Sequence, residues 1–209
     1  MIDQRFDNNF KRLIIGVDEA GRGPFAGPVI AAACHIPSNA SKFLKLELIN
    51  DSKKLSHKTR IKSYNHLIKL KKKSIIKIGI GSASVNEIDK FNILNATFLA
   101  MSRALKIYNL KNFLVLIDGN KCPVIKNAEC KAVIQGDQKS ISISAASIIA
   151  KNYRDMLMIK LSNSFPEYGW DHNMGYGTKK HTDAIEKYGI NEHHRKSFSP
   201  IKRFIQNIS

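Results

Sequence analysis

The chain has 209 residues, with 34 Lys or Arg against 17 Asp or Glu, a formal net charge of +17 and an apolar share of 43%, enough for one ordinary domain or a domain with an appendage. No stretch approaches the roughly 20 uninterrupted apolar residues that a membrane span needs, and the opening MIDQRFDNNFKR lacks the apolar run of a secretory signal, so a cytoplasmic protein is expected. Three cysteines without a C-x-x-C pair argue against a disulfide framework or a zinc ribbon.

In chain order, Arg12 to Val17 is a short apolar run that halts at Asp18-Glu19-Ala20-Gly21 and reads as a buried strand running into a loop. Residues 28–36, apolar and bounded by prolines, suggest a second strand paired with the first as a hairpin. Between Lys42 and Lys77 stand twelve Lys or Arg and only two acids, Glu47 and Asp51. That surplus suits a phosphate-facing surface, and it equally suits a solvated helix face in a lysine-rich chain. Ser56 can cap a helix through Leu67, and residues 74–80 alternate as a strand does. From Asn92 to Tyr108, Ile93, Ala96, Leu99, Ala100 and Leu105 fall near helical spacing. Phe113 to Ile117 is a continuous apolar strand closed by Asp118-Gly119, and Lys131 to Ile134 a shorter one closed by Gly136-Asp137. Helices are predicted over Ser144–Leu161 and Thr178–Lys187, and Ile201 to Ile205 reads as a last packed helix rather than a docking tail. The order implies one α/β sheet with a small helical C-terminal lobe, the division falling between 1–165 and 166–209.

Four of the 17 acids, Asp18, Glu19, Asp118 and Asp137, fall where strands run out. In open α/β sheets the functional crevice lies outside the carboxyl ends of the strands, and Asp18 meets Asp118 there if their strands are parallel neighbours. Clustered carboxylates repel unless protonated or bridged, and hard Mg²⁺ or Mn²⁺ takes oxygen ligands. Singly, each Asp beside Gly is also a common turn pair.

Asp18 to Pro28 packs two acids, three glycines and two prolines into eleven residues. It lacks the Lys-Ser or Lys-Thr that a phosphate loop of an NTPase carries after its last glycine. The remaining use of such a turn is to present main-chain groups and Arg22 to a sugar and phosphate beside the carboxylates.

Asp18 through Val29 resembles the opening motif of ribonuclease HII, and further segments resemble that family in the right order over nearly the whole chain. These are Asp51-Ser52-Lys53-Lys54-Leu55, Asn92 to Thr97, Ile117-Asp118-Gly119, Gly136-Asp137, Ser144 to Lys151, Gly175-Tyr176-Gly177-Thr178 and His194 to Phe198. Phe25, Asn152-Tyr153 and Asn173-Met174 depart from the family pattern, and none of them touches a carboxylate position.

The resemblance implies a ribonuclease H-like mixed sheet flanked by helices. It also implies an endoribonuclease that cuts RNA-DNA hybrids and DNA duplexes bearing ribonucleotides on the 5′ side of the ribonucleotide, leaving 3′-hydroxyl and 5′-phosphate ends. Asp18, Glu19, Asp118 and Asp137 would hold two Mg²⁺ or Mn²⁺ ions. Gly21-Arg22-Gly23 would sense the ribose 2′-hydroxyl, Lys53 would lie near the phosphates, and Tyr176 would stack on the next sugar. A monomer is expected, and a sliding clamp is a conceivable partner without support in the residues. Asp155 competes with Asp137 for the fourth acidic position, but it lies inside a helix where Arg154 or Lys151 can pair with it, so Asp137 is preferred. Lys151 is a candidate neighbour of the site, and the seven histidines receive no catalytic duty. The alternative class is a non-catalytic basic RNA-binding protein, which accounts for the charge and leaves the strand-end acids without a task.

Overall fold

A computed structural model describes residues 3–49 and 56–208. A short helix α1 (Arg5–Asn8) leads into the hairpin β1 (Leu13–Ala20) and β2 (Val29–His35), which is followed by α2 (His57–Lys72), β3 (Lys77–Ala83) and α3 (Val85–Leu105). Then come β4 (Phe113–Asp118), β5 (Glu129–Val133), the long α4 (Ile141–Ser164) and the C-terminal helices α5 (Trp170–Asn173), α6 (Lys179–Tyr188) and α7 (Ser199–Ile208). The five strands form one mixed sheet in the order β3-β2-β1-β4-β5. Strands β1 and β2 pair antiparallel as predicted, β2 and β3 also pair antiparallel, and β1-β4 and β4-β5 are parallel.

The period of two along each strand splits the core into two layers. Ile15 and Val17 of β1, Val115 and Ile117 of β4, and Val29, Ala31 and Ala33 of β2 pack against Ala96, Ala100 and Leu105 of α3. On the opposite face Ala32 and Cys34 join Ile141, Ala145, Ile148 and Ile149 of α4 and Leu67 and Leu70 of α2. Gly16 lets α4 lie directly on β1, since a Cβ there would stand 2.1 Å from the Ser142 carbonyl carbon. Among the described residues no helix is long and apolar enough to cross a membrane.

Several predicted boundaries move. Strand β1 does not stop at Asp18; its ladder with β2 continues through the Ala20–Ile30 pair, because backbone hydrogen bonds hold it wherever a neighbouring strand supplies partners. Strands β3 and β5 shift to Lys77–Ala83 and Glu129–Val133, and α2 runs on to Lys72 from the expected Ser56 cap. Helix α4 starts at Ile141 because the Ser140 hydroxyl accepts the Ile143 N–H, and it ends at Ser164. Helix α3 begins at Val85, seven residues before the predicted start. Asn92 lies inside it with φ 65° and ψ 165°, and its Oδ1 accepts the Asn95 N–H at 3.1 Å, so the predicted start is the cap of the second half of a kinked helix. The C-terminal lobe is helical, and Ile201 of α7 is buried in a cluster with Trp170, Tyr168, Ile185 and Met158, in line with packing rather than a free tail.

Candidate active site

Strand register brings the acids together. Parallel pairing of Val17 with Ile117 sets Asp18 beside Asp118 one residue further on. Both side chains leave the sheet on the α4 face, like Ile14 and Leu116 two residues or more before them, while Glu19 alternates to the α3 face. Asp18, Glu19 and Asp118 line one cleft of about 330 Å³ with Gly21, Arg22, Gly23, Arg60, Ser147, Lys151, Arg154 and Tyr176. A second lobe of about 290 Å³ shares Glu19, Arg22 and Asp118 and runs toward Leu94, Phe98 and Met101 of α3 and Asn120-Lys121 after β4.

The electrostatics match the crowding. Burial pushes the Asp18 carboxyl well above the usual carboxylate range, and the charges of Glu19 and Asp118 push it further; Ser147 and the Glu19 N–H oppose them. Burial also raises Glu19, with Arg22 opposing and Asp118 adding to the rise, and the Arg22 guanidinium lies 3.1 Å from its Oε1. Asp118 Oδ1 accepts the Gly136 N–H at 2.7 Å. Asp137, the next residue, sits buried in the 3-10 turn Gly136–Gln138 after β5 and is not among the residues lining either lobe. Among the described residues no three His, Cys, Asp or Glu side chains form a ready-made metal cage. An all-oxygen set whose members repel one another nevertheless has the chemistry of a hard-cation site, because Mg²⁺ keeps several waters and binds through one or two carboxylates plus substrate phosphate.

The glycine loop is held from beneath by two buried guanidinium groups that sequence reasoning missed. Arg195 donates to the carbonyls of Gly21 at 2.6 Å, Arg22 at 3.0 Å and Gly27 at 2.7 and 2.9 Å. Arg154 donates to those of Pro28, Ala26 and Met174. Burial lowers them to about 9 and about 10, so both stay cationic near neutrality. Arg195 stands in the His194–Phe198 segment and Arg154 beside Asp155, but nothing local in the sequence shows their task, since their partners lie up to 174 residues away. Gly21 has φ 95°, and a Cβ there would lie 2.0 Å from Arg154 Nε; at Gly23 the nearest atom would be Tyr176 Cε1 at 3.5 Å.

Tyr176 is 47% exposed and lines the cleft, so its ring is not part of the core. Lys53, with the rest of residues 51–55, lies outside the described residues. Asp155 is buried on α4 and pairs with Lys151 at 2.8 Å and Arg60 at 3.4 Å, while Arg154 points elsewhere. The family departures are absorbed structurally. Asn173 holds the end of α5 through Tyr168 O and the Gly175 N–H, Asn152 donates to Ile148 O, and the Phe25 ring fills the space that a side chain at Gly177 would need.

Comparison with known proteins agrees with this geometry. Residues 15–201 match the family described as Ribonuclease HII. Ribonuclease HII of Wolbachia sp. subsp. Brugia malayi (strain TRS) is 49% identical over 199 residues, covering 95% of this chain and 94% of that one. The crystal structure of ribonuclease H2 from Pyrococcus horikoshii OT3 superposes with a TM-score of 0.73 at 27% identity, covering 93% of this chain and 97% of that one. Bst-RNase HIII in complex with Mn²⁺, at 16% identity, shares the fold with a TM-score of 0.71 over 94% of this chain and 70% of that one. With the strand-end carboxylates, the glycine loop and the mixed sheet in place, the chain belongs to the ribonuclease HII family.

Proposed function

We propose that this chain is a metal-dependent endoribonuclease that hydrolyses the phosphodiester 5′ of ribonucleotides embedded in duplex DNA, and the RNA strand of RNA-DNA hybrids, leaving 3′-hydroxyl and 5′-phosphate ends. The observation that carries the reading is the β1-β4 register, which seats Asp18 and Asp118 side by side with Glu19 in one cleft. A non-catalytic RNA-binding protein has no use for three mutually repelling, partly buried acids.

Asp18, Glu19 and Asp118 would hold the divalent cations, Mg²⁺ or Mn²⁺, with Asp137, the residue after the Gly136 that bonds Asp118, as the fourth acid of the set. When bound, two such ions would supply a nucleophilic water and a counter-charge for the leaving oxygen. The Gly136 N–H fixes one oxygen of Asp118 and leaves the carboxylate oriented toward the cleft. The backbone of Gly21, Arg22 and Gly23, braced by Arg195, faces the ribose and reads its 2′-hydroxyl. Tyr176 offers an aromatic face to the adjoining sugar, and Lys53 is assigned to the phosphates from sequence alone.

The test is cleavage of a DNA duplex with one ribonucleotide, with and without chelator. A metal-dependent nick on the 5′ side is expected, and Asp118→Asn should lower its rate by at least about 100-fold while melting no lower than the parent in chelator. Near-normal turnover in Asp118→Asn at saturating metal would remove Asp118 from the reaction.

A further inference from the structure

The cleft that holds the acids also carries a charge arrangement that the roles above leave unused. Arg60 comes from α2 and Lys151 from α4, and both line the cleft that holds Asp18, Glu19 and Asp118. Between them lies Asp155, one turn after Lys151, with a side chain 6% exposed. Its Oδ1 takes Lys151 Nζ at 2.8 Å and its Oδ2 takes Arg60 Nη2 at 3.4 Å, so one carboxylate grips two cations by separate oxygens. The trio has a net charge of +1, and it is graded outward. Asp155 is buried, the Arg60 side chain is 14% exposed and the Lys151 side chain 33%. Of the other cations in the cleft, Arg22 pairs with Glu19, and Arg154 is turned toward backbone carbonyls.

We propose that Arg60 and Lys151 form a binding site for a backbone phosphate of the nucleic-acid strand, and that Asp155 is the positioning residue that fixes both cations on the cleft wall. This rests on the reading of the cleft as a nucleic-acid site. A strand entering a cleft with three acids at one end is repelled by them, and a cation pair held a fixed way along the wall offsets that repulsion and sets how far the strand advances. A structural tie between α2 and α4 needs only one ion pair. Here the second cation, Lys151, sits on the helix that already carries Asp155 and adds nothing to that tie.

The sign of the Asp155 effect separates positioning from plain attraction. Asp155→Asn removes a negative charge and makes the wall more cationic, so attraction alone would tighten binding and leave turnover intact. Positioning predicts that affinity holds or rises while kcat falls by about 10-fold or more, because the phosphate is bound without being placed.

The experiment measures equilibrium binding of a DNA duplex containing one ribonucleotide, in chelator so that nothing is cut, across a range of salt concentrations. Kcat and KM are then measured with Mg²⁺, and melting temperature is recorded for every variant. Lys151→Met and Arg60→Gln should each weaken binding and lower the slope of log affinity against log salt by about 0.9, the value of one lost phosphate contact. Lys151→Arg should restore both. Lys151 is the variant that keeps the test decisive if the more buried Arg60 is needed for folding. Wild-type affinity and slope in a folded Lys151→Met protein would overturn the site, and unchanged kcat in a folded Asp155→Asn protein would overturn the positioning role. Because binding is read without cleavage, a protein that binds with these slopes but never nicks the duplex would refute the nuclease reading and leave the phosphate site standing.

Discussion

At the residue scale, the two glycines flanking Arg22 look equivalent in the sequence and are not equivalent in the fold. Gly21→Ala meets both a positive φ and the Arg154 side chain, so a loss of about 2–3 kcal/mol is expected, visible as a lower melting temperature before any substrate is added. At Gly23 the new methyl meets only ordinary contact with Tyr176. Gly23→Ala should therefore melt like the parent, yet lose cleavage rate and preference for ribose together if the loop reads the sugar as proposed, since the added methyl would stand in the way of that approach. Comparing rates on duplexes with and without the ribonucleotide checks this, and intact preference at full activity would remove Gly23 from the sugar contact. The acids were similarly uneven in legibility. Asp18, Glu19 and Asp118 stood out only as a set, beside a glycine-rich stretch and in segments that resemble the ribonuclease HII pattern, whereas the sequence could not show that Asp155 serves two cations, because Arg60 lies 95 residues away.

At the element scale, what was readable was whatever leaves a periodic or capping trace. The hairpin, the five strands and α4 could be read from apolar runs, whereas the parallel β1-β4 pairing was only the condition for Asp18 to meet Asp118 and is supplied by the fold. The first half of α3 was missed although Ser84 and Glu87 form a capping box, a pattern plainly present in the sequence. The internal architecture of the C-terminal lobe was not legible, because it rests on long-range polar contacts among histidines that showed no ligand spacing. His181 Nδ1 lies 2.9 Å from Tyr176 O, so that nitrogen donates and Nε2 accepts from Trp170 Nε1 at 3.1 Å and faces His194 Nε2 at 3.2 Å. Burial first, then the neighbouring His181 and His193, lowers His194 to about 4. A base with a lowered folded-state pKa stabilises the fold fully above its unfolded value near 6.5 and progressively less as pH falls toward 4. His194→Gln should therefore flatten the acid side of the melting-temperature profile by the equivalent of about 2–3 kcal/mol between those pH values. An unchanged profile in the variant would show that the acid sensitivity arises elsewhere.

At the scale of the whole molecule, a chain of +17 concentrates its repelling acids at one end of its sheet, so stability and pH are linked at a single place, and the proposed cation binding would be linked to both there. For Asp18 and Glu19 the sign runs opposite to the usual carboxylate case. Their folded-state values are raised, so their contribution is favourable below the ordinary carboxylate range and is lost as pH rises through the raised values. At neutral pH without divalent cations, the ionised cluster should thus act against the fold. Asp18→Asn removes one buried charge while keeping the shape, and the cation-free variant should melt no lower than the parent at pH 7 and gain relative to it as pH rises from 5 to 8. Mg²⁺ or Mn²⁺ should reverse the order, because ions that bind only the folded parent stabilise it by mass action, by about 2.7 kcal/mol at a hundred times the dissociation constant. The measurement is a melting series at several pH values, with chelator and with each metal, on parent and variant at one ionic strength, since salt alone screens the basic surface. A parent that melts higher than Asp18→Asn in chelator at pH 8, or one that gains nothing from either metal, would mean that these carboxylates are held by partners within the protein and do not wait for cations.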